Sequence, residues 1–174
     1  MSPQEAERLY LAALEVAAEQ VRRGVGRLRG LHPFLHPLAG ELLEEERALA
    51  FPVPGGELRL TLSWSSGGAS FAQGSPVLKA ERRLESGGTT QLQAFLDPHF
   101  SPSSIRDKLE ALLRLTGGGP GEVLKVATWL EEYAAWLGDV ARRAEEAWAS
   151  RLEEEKEALE ALELKVARAG LGEE

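Results

Sequence analysis

Few side chains in this chain are of a type and spacing that could do chemistry, so they are taken type by type. With no cysteine among 174 residues, a transition metal would have to be held by nitrogen and oxygen donors. The only histidines are His32, His36 and His99, with Asp97 close to the last of them. Three imidazoles and a carboxylate suffice for tetrahedral zinc. However, His32 and His36 stand in His32-Pro33-Phe34-Leu35-His36-Pro37, where each proline drives its predecessor towards extended backbone. They are therefore not an i, i+4 pair on a helix, and nothing in the sequence brings His99 to them. The expectation is no metal and no cofactor, with these three histidines as the only metal candidates.

Nucleophilic chemistry fares no better. A serine needs a base within reach. Ser101, Ser103 and Ser104 follow His99, but no GxSxG elbow exists, and three serines ahead of a helical pattern read as N-caps. Gly117-Gly118-Gly119-Pro120-Gly121 precedes a helix as phosphate loops do. It follows a helix rather than a strand and lacks the Lys-Ser/Thr pair of a P-loop, so it reads as a helix-breaking turn. The acids at Glu153-Glu154-Glu155 form a solvated face rather than a catalytic pair. The chain is expected not to be an enzyme.

Two constellations suit binding rather than catalysis. Arg22, Arg23, Arg27 and Arg29 form a basic group, although cations are favoured at a helix C-terminus in any case. The net charge of −8 makes nucleic acid the less favoured partner, because phosphate contacts need a concentrated basic surface. The second constellation is an apolar seam, Trp148, Leu152, Leu159, Leu162, Val166 and Ala169, on an otherwise charged segment. Its spacing is that of a coiled-coil stripe, and Trp148 is the large aromatic that most needs a partner to cover it.

The elements that position these residues follow from period and punctuation. Ser2-Pro3-Gln4-Glu5 is a capping box with proline at the first helical position. The helix after it carries Leu11, Leu14, Ala18, Val21, Val25 and Leu28 at alternating spacings of four and three. From Arg47 to Pro98 the period falls to two, as in Leu58, Leu60, Leu62 and Trp64, with Gly-Gly pairs at 55–56, 67–68 and 87–88 marking hairpins. Pro52 and Pro54 assign the first of four strands to an edge, and the stretch between strands two and three reads as a long mobile loop. A short helix carrying Ile105, Leu109, Leu112 and Leu113 follows.

The span from Pro120 to Ala169 has no proline after its first residue and reads as one continuous rod about 75 Å long. Its first half bears two apolar stripes, Val123-Ala127-Leu130-Ala134-Leu137-Ala141 and Val126-Trp129-Tyr133-Trp136-Val140, and so must lie in a core.

The predicted fold is α+β: an N-terminal helix, a four-stranded antiparallel meander, a short helix and a long C-terminal helix with a coiled-coil-like end. Residues 1–141 form the head and 142–174 a charged stalk. This order resembles the RWD and ubiquitin-conjugating superfold, including a proline-containing exit from the fourth strand. The YPxxxP signature of RWD domains is absent, since the chain reads Asp97-Pro98-His99-Phe100-Ser101-Pro102, and there is no cysteine for conjugating chemistry. The resemblance implies topology and no activity.

No basic leader precedes the first helix and no window is apolar enough for a membrane span, so a cytoplasmic protein without a membrane partner is expected. The functional expectation is a structural or adaptor protein that forms a homodimer or larger assembly. Leu11, Leu14, Val21, Val25, Trp148, Leu152, Leu159, Leu162 and Val166 would make the interface, the N-terminal stripe pairing with the stalk seam either within one chain as an antiparallel hairpin or, the favoured arrangement, between two chains as a bundle. The alternative is a nucleic-acid-associated accessory factor using Arg22, Arg23, Arg27 and Arg29.

Overall fold

A computed structural model describes residues 1–66 and 70–170. Helix α1 (Pro3–Arg29) opens the chain, followed by a 3-10 turn (Pro33–Leu35) and the short α2 (His36–Leu42). Strands β1 (Arg47–Val53), β2 (Gly56–Ser65), β3 (Ser75–Leu84) and β4 (Thr89–Phe95) come next, then α3 (Pro102–Leu115), α4 (Pro120–Glu154) and α5 (Lys156–Arg168). The sheet is an antiparallel meander in the order β1-β2-β3-β4. The fold is α+β in the order read from the sequence.

Local chemistry sets the boundaries. Ser2 Oγ accepts from Glu5 N–H at 3.2 Å and Glu5 returns the bond to the Ser2 amide, closing the capping box. The β1–β2 hairpin turns through Pro54-Gly55, with Gly55 at φ +77°, a region in which a Cβ is strained. The hairpin signal at Gly67-Gly68 lies outside the described residues. Pro52 takes its place on the edge strand opposite Glu57, where its missing donor costs no ladder bond. The cap of α3 is Ser101, whose Oγ accepts from Ser104 N–H at 3.2 Å, because Pro102 occupies the first helical position.

One face of the sheet is dry. Leu58, Leu60, Leu62, Leu78 and Ala80 are buried, and the helices pack on that side as one core. The two stripes of α4 meet different neighbours. Its Leu137 stripe faces α1: a Cβ at Gly24 would come within 3.0 Å of Leu137 Cβ, so the glycine permits close approach. Arg27 reaches Glu145 at 3.6 Å further along, so α1 and α4 run parallel. The Trp136 stripe faces the sheet edge, with the Arg47 guanidinium 4.7 Å from the Trp136 ring centroid and Lys125 Nζ 5.7 Å from that of Phe51.

Three expectations change. The rod is not continuous: it breaks at Glu155 (φ −95°, ψ 8°) between α4 and α5, within a run of like charges where no tertiary packing holds the backbone straight. The stretch before β3 is not a free loop over its described part. A 3-10 turn at Phe71–Gln73 seats Phe71 with ring centroids 5.2 Å from Trp64 and 4.8 Å from His36. Finally, α1 does not offer its stripe to a second copy. Leu14, Val21 and Val25 are at most 1% exposed, because α4 of the same chain already covers them.

Candidate functional site

The histidines do not converge. His32 Nδ1 accepts from Phe34 N–H at 3.2 Å, capping the 3-10 turn. His36 Nε2 donates to Leu31 carbonyl at 3.0 Å, since a carbonyl can only accept. His99 sits in a turn whose amide bonds Asp97 Oδ1 at 2.9 Å. Among the described residues no group of three or more His, Cys, Asp or Glu is placed to hold a metal.

The arginines of α1 act as pegs. Arg22 Nε donates to Pro98 carbonyl at 3.0 Å, and Arg29 Nε to Gly74 carbonyl at 2.8 Å. Arg29 also lies 3.6 Å from Asp97, while Arg23 pairs with Glu19 and Arg27 with Glu145. Arg22 and Arg29 thus fasten the second half of α1 to the loop leaving β4 and to the connection entering β3, so the basic group does not present four free cations on one face. The sequence shows the charges but not their acceptors, which are backbone carbonyls distant in the chain.

Trp148 is likewise engaged within the chain. It stacks on His32 (centroids 6.2 Å, planes 12° apart) and packs against Phe34 at 5.6 Å, which leaves it half-buried. The Pro-rich turn therefore serves as the partner that the aromatic needs. Packing of α4 onto the body continues past the fully buried Ala144 to this point. Leu11 lines a groove of about 480 Å³ between the start of α1, the end of α3 and the start of α4, together with Tyr10, Val123, Glu110 and Arg114.

The remaining seam residues are different in kind. Leu159 and Leu162 are 39% and 54% exposed on the seam, while Leu164, 52% exposed, lies on the opposite face of α5. Val166 and Leu152 are only partly shielded, and α5 contains no buried residue.

One cleft was not legible in the sequence. It holds about 190 Å³ between β1 and α4 and is lined by Arg47, Ala48, Trp129, Glu132, Tyr133 and Trp136. Arg47 opens β1 and pairs with Leu62, so its side chain shares the inner face of the sheet with Leu49 and Phe51. Two guanidiniums lie near the Trp136 ring, Arg47 at 4.7 Å and Arg143 at 5.5 Å from its centroid. Burial pushes the Tyr133 phenol well above its ordinary pKa, against a smaller opposing effect of the Arg47 charge, so it stays a neutral donor. The alternation of β1 could have flagged Arg47 as inward. Nothing local could have placed three aromatics of α4 opposite it.

No protein-family model, curated protein or solved structure matches this chain.

Proposed function

We propose that this is a non-enzymatic assembly protein in which α5 pairs with α5 of a second copy. The observation that carries the reading is that α5 has no buried residue, yet exposes Leu159 and Leu162 on one face, with Val166 of the same stripe only partly shielded. A helix of its 13 residues is marginal in water without packing, and a leucine seam is what a helical partner covers.

Charge supports an antiparallel arrangement. Within α5, Lys156 and Glu163 lie one heptad apart on one flank of the seam, and Lys165 lies on the other. In an antiparallel pair like flanks meet, so Lys156 of each copy faces Glu163 of the other. In a parallel pair opposite flanks meet, and the Lys156–Glu163 pairing is lost. The contact is short, so the dimer is weak and concentration-dependent.

Light scattering across about 1 to 100 μM tests it, a range suited to interfaces of this size. The expected mass rises towards twice the monomer, and Leu162→Glu returns it to the monomer without moving the melting midpoint. A strict monomer throughout, with α5 still helical, refutes the reading.

A further inference from the structure

The cleft between β1 and α4 places a cation among aromatic walls with no carboxylate of the described residues in ion-pair contact with it. Among the described residues Arg47 makes no hydrogen bond and no ion pair, and its Nε is buried with no acceptor. Its terminal nitrogens, equally unbonded, are not among the buried atoms and so stay open to solvent. A cation–π contact, with Arg47 Cζ 4.7 Å from the Trp136 ring centroid, restrains the guanidinium. A planar fork fixed in this way is organised for bidentate capture of a carboxylate, and little rotamer entropy remains to be lost on binding.

We propose that this cleft binds a small monocarboxylate, its oxygens on the terminal nitrogens of Arg47 and its apolar part against Trp129 and Tyr133. The size follows from the volume: about 190 Å³ lies below the range of roughly 300–1,000 Å³ typical of drug-sized ligands. The single charge follows from Glu132, the only carboxylate lining the cleft, which repels a second anionic group. The apolar character follows from the rings, since Trp129 is 8% and Tyr133 4% exposed. The site is independent of α5, so it stands or falls separately from self-association.

Benzoate and butyrate are suitable probes, with benzamide as the neutral match for benzoate. Two of the four tryptophans line the cleft, so indole N–H signals in NMR and tryptophan emission report occupancy. Saturable shifts of the Trp129 and Trp136 indole signals are expected with benzoate at up to about 50 mM, as suits millimolar affinity. Arg47→Lys should weaken binding about 10-fold, because a point charge replaces the fork, and Arg47→Met should abolish it. Glu132→Gln, with Arg47 intact, should tighten binding about 3-fold by removing a like charge. This second variant keeps the test open if Arg47→Met fails to fold. Equal binding of benzamide, shifts confined to other tryptophans, no saturable change in the parent protein, or no gain from Glu132→Gln overturns the proposal.

Discussion

Val123 to Ala144 of α4 and Lys156 to Arg168 of α5 are both built largely from Leu, Ala, Glu, Val, Lys and Arg, good helix formers for the most part, yet their circumstances are opposite. The first segment buries Val126, Leu130, Leu137, Val140, Ala141 and Ala144 completely. The second buries nothing. Propensity favours helix in both, so the difference lies in the periphery: two apolar stripes can be covered by two neighbours, whereas the one narrow seam of α5 is left unburied. Fold stability should therefore reside in α4 and association in α5.

The largest expected break in that contrast is Leu137→Ala. Leu137 is fully buried where α1 and α4 approach most closely, and its loss should cost about 3 kcal/mol in urea melts. Leu162→Ala on α5 should cost the monomer less than about 0.5 kcal/mol, as exposed positions do.

Trp148→Ala sits between these. Trp148 is half-buried against His32 and Phe34, so its removal should cost about 1–2 kcal/mol of monomer stability. The shift in midpoint should be the same at two protein concentrations. A shift that grows with concentration would assign the residue to an interface instead.

Removing residues 156–174 sharpens the comparison from the other side. The body should melt within about 0.5 kcal/mol of the full chain, while far-ultraviolet dichroism loses only the α5 contribution and concentration-dependent mass disappears.

The smallest effect belongs to Asp139, on the solvent side of α4. Its hydrogen bond to Arg142, helped by the charges of Arg143 and Arg142, holds the carboxyl below its ordinary pKa against an opposing desolvation. A depressed folded-state pKa means the stabilisation is complete above the ordinary aspartate value of about 3.9. It is lost as pH falls through the lower folded value. An NMR titration of Asp139 should show this depression shrinking in high salt.

Most of the fold was legible because it rests on short-range rules. The capping box at Ser2 and Glu5, the period-two strand at Leu58 to Trp64, the edge strand at Pro52 and the stop at Gly117 each follow from a few neighbouring residues. The site was harder. Burial of Leu14, Val21 and Val25 inside the chain rather than between copies turned on Gly24, which reads as a weak point in a helix until Leu137 lies against it. Trp148 looked unpartnered because its cover, His32 and Phe34, lies more than a hundred residues away.

The sequence by itself determined which residues form helices and strands, where they start and stop, and which faces are apolar, since period, capping and turn chemistry act within a few residues. Only the tertiary structure decided which apolar faces meet. It spent Arg22 and Arg29 on loop carbonyls, left Arg47 without an ion-pair partner among aromatic rings, and buried none of the described residues of α5. The reason is that hydrophobic burial is non-directional: a stripe records that it must be covered, while chain connectivity and close packing select what covers it.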